Sequence, residues 1–358
     1  MSIRNKLTML GMAILLVGLA ACGKQSSDQP KAEAAATPSP AAEPADPSKP
    51  LIKWKHGLIK LQTAAGFELM ALQKEYFRKH GIDMEYQEFI SAPLMAQALS
   101  SGALDSIESN PIGVLLADSK GGNLKIIGST LPGIDFAIYA DKSITKVADL
   151  QGKRIGTSAA RDLPDLVMRA IFQKNGMNPE NATYAAVGGN ADRVNALASG
   201  SIDADVNSLD MLPVVEANPK LHMLLKASDV VPDFPRLMVM VDANRIKSKP
   251  REAVVGVLAG MMEGMKYAVE HKDEALKISA KVMGLPPTDP RIGRYYDAVV
   301  QHKWISPDMA PQTEKVDYLQ DFALSLGMIP AKLPQDKIMD MSYRDEAYKL
   351  VYGSNRKE

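Results

Sequence analysis

The chain has 358 residues, and its 42 basic and 42 acidic side chains give a formal net charge of zero at pH 7. This balance excludes the strongly basic surface that nucleic-acid binding requires. The single cysteine excludes a disulfide within the chain. The roughly 300 residues after residue 50 suffice for two lobes of ordinary size, and they contain no apolar run long enough to cross a bilayer.

The N-terminus carries a predicted secretory signal. Arg4 and Lys6 precede an almost wholly apolar stretch over 7–19, and residues 19–22 then read LAAC. A short apolar stretch followed by small residues is typical of a signal peptide, and LAAC resembles the bacterial lipobox, whose cysteine becomes lipidated. We therefore expect a lipoprotein signal peptide over 1–21 and a membrane anchor on Cys22. The alternative is a signal peptide that happens to end near a cysteine.

Residues 22–50 are predicted to form a disordered tether behind that anchor. The segment is rich in alanine, proline, serine, lysine and glutamate, and it contains six prolines. Such a composition cannot bury enough apolar surface to offset the entropy lost on ordering. We expect it to link the anchor to a folded body.

The first half of the body alternates strands and helices. A helix over 65–80 with an apolar face is predicted to end at Gly81, and alternating apolar residues then predict a strand. The predicted strands begin at 52, 82, 104, 124 and 136. The β-α-β-α-β order favours a parallel sheet covered by helices on both faces.

A second α/β run begins near residue 147. Asp162 and Pro164 have the pattern of a helix start, and another helix is predicted over 192–199. A strand over 237–241 follows, after which the pattern is helical through about 326.

Eight residues recur in altered form in the two halves. Residues 98–105 read ALSSGALD and residues 196–203 read ALASGSID. In each copy a glycine, Gly102 or Gly200, stands where a helix must end in a residue that tolerates positive φ. The repeat predicts two similar α/β lobes, with chance similarity as the alternative.

Together these patterns predict an α/β protein with two lobes. Lobe 1 is expected over 51–138 and 238–358 and lobe 2 over 139–237, with the strands near 136–140 and 237–241 crossing between them. Ligands of open α/β sheets bind at the carboxyl ends of the strands. We therefore expect a cleft between the lobes.

Four segments in this order resemble a known family. They are EYFRKHGIDME at 75–85, DLQGKRIG at 149–156 and the two repeated units. From about 52 to 275 the chain resembles the periplasmic substrate-binding proteins of ABC importers, in particular the nitrate, sulfonate and taurine group. That group also includes binders of the thiamine pyrimidine precursor and of aromatic carboxylates. The resemblance implies the type II two-lobe (Venus flytrap) fold, an extracytoplasmic location and an ABC permease as partner.

In that family the ligand lies between the lobes, against loops that follow strands and against helix N-termini. Carried over to this chain, the resemblance implies a set of ligand-binding residues: Gln62, Thr63, Ser91, Ser109, Asn110, Ser158, Ala159, Arg161, Asn190, Asn207 and Arg236. Ser158 has an alternative role as a turn residue, and Arg161 has one as a surface partner of Asp162 or Asp165. Arg236 has an alternative role in a salt bridge between lobes. Asp105 and Asp203 are expected to be structural.

The ligand expected from this set is a small organic anion, a sulfonate or a carboxylate. An arginine such as Arg161 can clamp either group through two charge-assisted hydrogen bonds. The charged loop over 158–165 departs from the small residues usual in the family, so a neutral pyrimidine is the alternative ligand, and a ligand-sensing lipoprotein is the alternative role.

No enzymatic motif stands out. The five histidines lack ligand spacing, so no metal, cofactor or nucleic-acid partner is expected. A pyrimidine synthase of this architecture would need a cysteine-rich iron motif, which a chain with one cysteine does not have. We therefore expect a binding protein rather than an enzyme, and a monomer.

Overall fold

The computed structural model describes residues 50–59, 63–89 and 92–353. The predicted signal peptide, the lipidated Cys22 and nearly all of the predicted tether lie outside these residues. Two of the expected ligand-binding residues, Gln62 and Ser91, also lie outside them.

The strands of the described residues are β1 Ile52–Ile59, β2 Ile82–Phe89, β3 Ser106–Ser109, β4 Leu124–Leu131, β5 Phe136–Asp141, β6 Arg154–Thr157, β7 Thr183–Ala186, β8 Ala204–Ser208, β9 Leu221–Lys226 and β10 Leu237–Asp242. The helices in the first half are α1 Ala65–Glu68, α2 Met70–Gln73, α3 Tyr76–Lys79, α4 Ala92–Ser101, α5 Ile112–Asp118, α6 Leu163–Lys174 and α7 Asn190–Ala198. Those that follow are α8 Leu212–Glu216, α9 Arg251–Glu270, α10 Lys272–Met283, α11 Pro290–Gln301, α12 Thr313–Ser325, α13 Gln335–Ile338 and α14 Ser342–Tyr352. The helical C-terminal part thus continues well beyond residue 326, where the predicted pattern ended.

These strands form two sheets with the same plan. The first has the order β2-β1-β3-β10-β4 and the second has the order β7-β6-β8-β5-β9. In each sheet one strand runs antiparallel to both neighbours: β10 between β3 and β4, and β5 between β8 and β9. The parallel sheet predicted for the first half is present in the pairings of β1 with β2 and β3, and the antiparallel strand β10 was not predicted. The chain enters each of the two antiparallel strands from the other sheet, at the end where the parallel strands finish, so the strand must run back against them.

The repeated units occupy equivalent places in the two sheets. Gly102 and Gly200 both have positive φ, at 82° and 74°, and end the helices before β3 and β8. Asp105 accepts a hydrogen bond from the backbone N–H of Lys55 at 2.8 Å, and Asp203 accepts one from Arg154 at the same distance. The two aspartates are structural, as expected, because each fixes the start of a central strand against its parallel neighbour.

Three local predictions need correction. The helix expected over 65–80 is divided into α1, α2 and α3, and the break between α2 and α3 falls at Glu75, which adopts a left-handed conformation with φ 57°. The strand expected from residue 104 begins two residues later, and it includes Glu108 and Ser109, which were predicted to lie in a loop.

The crossing between the sheets occurs twice along the described chain, between β4 and β5 and between β9 and β10. Because β5 lies wholly in the second sheet, a lobe boundary between residues 138 and 139 would divide that strand. The division into lobes remains a proposal. Within the described residues, no helix combines the length and the apolar character needed to cross a membrane.

Candidate functional site

A pocket lies at the carboxyl ends of the strands of the first sheet. Its cavity volume is about 30 Å³. We call it the carboxyl pocket, after the polar side chains that line it: His56, Glu68, Tyr86, Glu108 and Thr130. Its apolar wall comes mainly from Leu58, Phe67, Leu131, Leu237, Met261 and Met265.

His56 is one of the buried side chains that line this pocket. The ring is fully buried, and burial lowers the pKa of His56 to about 3, so the imidazole is neutral. Trp54 Nε1–H donates to Ser106 Oγ at 2.8 Å, and the same oxygen lies 2.6 Å from His56 Nδ1. The Ser106 hydroxyl can donate to Nδ1, which places the imidazole proton on Nε2, or it can accept a second hydrogen bond from Nδ1–H. His56 Nε2 has no hydrogen-bond partner among the described residues.

Two carboxyl groups face the same space. Glu108, near the end of β3, accepts a hydrogen bond from the Thr130 hydroxyl, and burial raises the pKa of Glu108. Glu68, in α1, has its pKa raised to about 8, first by burial and then by the charge of Glu108. A carboxylate in an apolar site next to a second carboxylate holds its proton more tightly, because ionisation loses hydration and adds repulsion. Within the described part of the chain, the Glu68 carboxyl has no hydrogen-bond partner, although the Tyr86 hydroxyl donates to the Glu68 carbonyl at 3.2 Å.

An ion pair lies where the chain crosses between the sheets. Asp135, just before β5, is fully buried and accepts hydrogen bonds from Arg236, just before β10, and from the Tyr295 hydroxyl at 2.7 Å. Burial raises the pKa of Asp135, and the Arg236 charge opposes that rise. Arg236 was expected to bind ligand. The structure shows the alternative that the sequence left open, a salt bridge between the two crossings.

Thr63 joins the two sheets at another point. Its hydroxyl donates to Asp210, which follows β8, and its carbonyl accepts from the Ser279 hydroxyl at 2.7 Å. Thr63 is 3 % exposed and Asp210 is 1 % exposed. Burial raises the pKa of Asp210, and the hydrogen bond from Thr63 opposes that rise. This contact connects the loop after β1 to the end of the second sheet.

The structure brings Asn190 and Asn207 together around a buried arginine. Arg193 Nη2 donates to Asn190 Oδ1 at 2.8 Å and to Asn207 Oδ1 at 3.1 Å, while its Nε donates to Asp205 at 3.0 Å. The sequence analysis did not select Arg193. Its polar groups fix the end of β8 against the start of α7.

The loop after β6 keeps Ser158, Ala159 and Arg161 near the surface. The Ser158 hydroxyl donates to Asp162, and the backbone N–H of Arg161 donates to Asp165 at 2.5 Å. Arg161 is exposed with φ 60°, and its guanidinium forms no ion pair within the described part of the chain. The alternative role considered for Arg161, an ion pair with Asp162 or Asp165, is therefore not seen among the described residues. Asp165 pairs with Arg169, whose Nε lies 2.5 Å from Asp165 Oδ1.

Ser109 and Asn110 lie at the end of β3, which is the first sheet's counterpart of β8. Asn110 Nδ2 donates to the Pro235 carbonyl at 2.6 Å, and its Oδ1 accepts from the N–H of Ile112 at 2.9 Å, so it holds the start of α5 against the second crossing. When the repeats are superposed by number, Asn207 corresponds to Ser109 and not to Asn110. The two asparagines therefore do not occupy analogous positions.

None of the expected ligand-binding residues that the structure describes lines the carboxyl pocket. The sequence analysis missed His56, Glu68 and Glu108. Two of these residues left a signal: His56 alternates with Trp54 and Leu58 on the inner face of β1, and Glu68 stands alone in an apolar segment. Glu108 left none, because it lies among polar residues in the stretch DSIESN at 105–110. Within the described ranges, no group of three or more His, Cys, Asp or Glu side chains is arranged to hold a metal ion.

Comparison with known proteins places the chain in a family. The chain belongs to the NMT1/THI5 like family, whose model matches residues 62–275. A protein of Brucella abortus (strain 2308) whose name describes a binding protein is 26% identical over 215 residues, which cover 60% of this chain and 66% of that relative. The matched part therefore spans just under two thirds of the relative's length.

Two solved structures share the fold. The alkanesulfonate-binding protein SsuA from Xanthomonas axonopodis pv. citri, bound to MOPS, is 17% identical with a TM-score of 0.67, covering 82% of this chain and 99% of that one. The periplasmic nitrate-binding protein NrtA from Synechocystis PCC 6803 is 16% identical with a TM-score of 0.68, covering 85% and 90%. The predicted two-lobe binding-protein fold is confirmed. These proteins are named for binding, in agreement with the prediction of a binding protein rather than an enzyme.

Proposed function

We propose that this chain captures a small solute between its two lobes outside the cytoplasm and delivers it to the permease of an ABC importer. The observation that carries this proposal is the pair of equivalent sheets, joined by two chain crossings that meet at the Asp135–Arg236 ion pair. Such an arrangement allows one lobe to close on the other around a ligand held by both. Family membership supports the same role.

One feature of the structure supports the ligand expected from the sequence, which is a small organic anion. Arg161 is exposed and carries a cation that no described carboxylate neutralises, at a loop beside the N-terminus of α6. A sulfonate or carboxylate would gain a charge-assisted hydrogen bond there. The two structural neighbours are named for binding an alkanesulfonate and nitrate, which are anions, and this favours the choice.

The lining of the carboxyl pocket supports the alternative ligand, a neutral pyrimidine, which has N–H donors. The polar groups of the pocket are two carboxyls, a neutral imidazole and the hydroxyls of Tyr86 and Thr130, so an anion placed there would meet repulsion from an ionised glutamate. A pyrimidine-like solute could accept from His56 Nε2–H and donate to a glutamate. The two candidate ligands thus belong to different regions of the protein.

A thermal-shift screen distinguishes the candidates. Sulfonates, aliphatic and aromatic carboxylates, nitrate and pyrimidines would each be added to the purified protein. A ligand at a hundred times its dissociation constant should stabilise the fold by about 2.7 kcal/mol. No shift with any small solute would contradict the proposed capture, whereas a shift with one class alone identifies the ligand class.

Membrane anchoring through Cys22 is part of the same proposal. Lipid attachment at this residue would hold the protein at the membrane, where the permease lies. Replacement of Cys22 by alanine should release the protein from the membrane fraction of cells, as followed by immunoblotting. Retention of the variant in that fraction would contradict an anchor at this residue.

A further inference from the structure

We propose that Thr63 and helix α11 form a latch on the segment Leu209–Glu216 of lobe 2, and that the lobes part when this segment leaves α11. The segment comprises the turn after β8 and helix α8. This inference rests on the proposed function in taking the two lobes to move relative to each other. It names the contacts that such a movement breaks and those that it keeps.

Thr63 is fixed to lobe 1 through its main chain. Its carbonyl accepts from the Ser279 hydroxyl at 2.7 Å, and the same Ser279 oxygen accepts from the backbone N–H of Gly66 at 2.9 Å. Gly66 allows α1 to lie directly against α10, since a Cβ there would collide with the carbonyl oxygen of Ala275. The Thr63 hydroxyl is thereby held at a defined position on lobe 1.

That hydroxyl crosses to the other lobe. It donates to Asp210, and Thr63, Asp210 and Ser279 are each at most 3 % exposed, so the contact is shielded from water. The turn that carries Asp210 is fixed to lobe 2, because the N–H of Leu209 donates to the Asp135 carbonyl at 2.9 Å. A buried carboxylate without a donor is costly, whereas the same group is hydrated once the lobes part. The hydrogen bond from Thr63 therefore favours the latched arrangement.

Helix α11 is bound firmly to lobe 1. The Tyr296 hydroxyl, which donates to the carbonyls of Ala268 and Val269 at the end of α9, lies 2.9 Å and 2.7 Å from their oxygens. The Tyr296 ring stacks on Phe67 of α1, with 5.2 Å between the ring centroids. Tyr296 is 6 % exposed and Phe67 is 2 % exposed, so these contacts are buried.

The contact of α11 with lobe 2 is weaker. On that side α11 packs against the turn Leu209–Met211 and against α8, and Arg294 Nη1 lies 2.6 Å from Glu216 Oε2. These two side chains are 57 % and 50 % exposed, and water screens such an exposed ion pair. The Tyr295 hydrogen bond to Asp135 lies at the crossing between the sheets, where the movement is smallest, so it can persist. When the lobes part, α11 therefore stays with lobe 1 and releases Leu209–Glu216.

Hydrogen exchange followed by mass spectrometry tests the latch on the full-length protein without any solute. Thr63→Val keeps the shape of the side chain and removes its donor. Loss of this buried hydrogen bond should make the amides over 209–216 exchange roughly tenfold faster, while those of α6 keep their rate. The radius of gyration from X-ray scattering should rise as well, because separation of the lobes changes the overall dimensions. Thr183→Val, at an exposed position of β7, is the matched control and should change neither property.

Arg294→Ala removes the exposed ion pair and leaves the buried contacts intact, so it tests the latch even if Thr63→Val does not fold. Its control is Arg251→Ala, which breaks a similarly exposed ion pair with Glu346, between α9 and α14 of lobe 1. We expect Arg294→Ala, and not Arg251→Ala, to speed exchange over 209–216 and to raise the radius of gyration.

A thermal unfolding curve checks that each variant is folded. Unchanged exchange over 209–216 in the folded variants overturns the latch and leaves solute capture standing. Faster exchange at an unchanged radius of gyration also overturns it, because the segment then loosens while the lobes stay in place. If no solute in the thermal-shift screen binds, the proposed function fails, and the exchange result for the latch is unaffected.

Discussion

The hydroxyl oxygen of Ser106 lies 2.6 Å from Nδ1 of His56. The same oxygen accepts from the indole N–H of Trp54, and it keeps one proton and one lone pair for other partners. We predict that the Ser106 proton is donated to Nδ1. A neutral imidazole whose Nδ1 accepts carries its own proton on Nε2, so the ring would present a donor there.

Ser106→Ala should remove the hydrogen bond that orients the His56 ring and sets its protonation site. It leaves two buried polar groups, Trp54 Nε1–H and His56 Nδ1, without a partner, which should lower the free energy of unfolding by about 1–3 kcal/mol. Nitrogen NMR of the wild-type protein should show His56 neutral and protonated at Nε2 at pH 6. Ser101→Ala, at an exposed position of α4, is the control and should change neither property. A proton on Nδ1 in the wild-type protein would contradict the hydrogen-bond chain.

The stability of the protein should fall as the pH rises from about 4.5 to about 8. Glu68 has an ordinary pKa of 4.5 and a folded-state pKa of about 8, because burial and Glu108 disfavour its charge. The folded protein then binds a proton that the unfolded chain has already lost, so stability is complete below pH 4.5 and is lost toward pH 8. Burial raises the pKa values of Glu108, Asp135 and Asp210, which adds to the slope in the same direction.

Glu68→Gln isolates the part of this slope that belongs to one residue. Denaturant unfolding at several pH values should show the slope reduced by up to about 1.4 kcal/mol per pH unit over this range, the value for one proton. The exposed Glu85→Gln variant should retain the wild-type slope. Equal slopes in wild type and Glu68→Gln would show that Glu68 is ionised throughout.

The crossing between the sheets offers a third prediction. Tyr295→Phe removes the hydroxyl that donates to Asp135 at 2.7 Å, in a fully buried site where Asp135 Oδ1 already has no partner among the described residues. We expect a loss of about 1–3 kcal/mol in the free energy of unfolding, the usual effect of an unsatisfied buried charge. Tyr343→Phe, whose ring packs on Arg251, is the control and should cost less. Equal costs for the two variants would argue against a special role for the Asp135 cluster.

Arg161→Ala tests the anionic ligand. If a sulfonate or carboxylate binds at the loop after β6, loss of the guanidinium should weaken its binding by about 1–3 kcal/mol, as measured by calorimetry. Lys153→Ala, on the same lobe before β6, is the matched loss of a cation and should have little effect. Unchanged affinity in Arg161→Ala would remove this residue from the site.

The sequence predicted the elements that depend on local patterns. The repeated units predicted two similar helix-to-strand turns because glycine at positive φ and an aspartate at the strand start leave a recognisable signature. The same reasoning could not find the antiparallel strands β5 and β10, since strand direction depends on where the chain crosses between sheets. It also could not anticipate the break at Glu75, a residue type that rarely adopts positive φ.

The site was less predictable than the fold. Loop residues were expected to bind ligand, yet three of them form hydrogen bonds within the protein interior. Asn110 donates to the Pro235 carbonyl, Asn207 donates to the Asn190 carbonyl, and Arg236 donates to Asp135. His56 and Glu108 lie within strands, where polar residues attract little notice in a sequence. Whether a buried polar group has a partner depends on contacts between distant segments, and no spacing pattern along the chain reports those contacts.

The most direct test of the account is a calorimetric comparison of wild type, Glu68→Gln and Glu85→Gln with the solute that gives the largest thermal shift in the screen. If the carboxyl pocket is the binding site, Glu68→Gln should bind that solute at least tenfold more weakly, and Glu85→Gln should bind it as the wild type does. Equal affinity in all three proteins would contradict the account, because it would place the ligand away from Glu68.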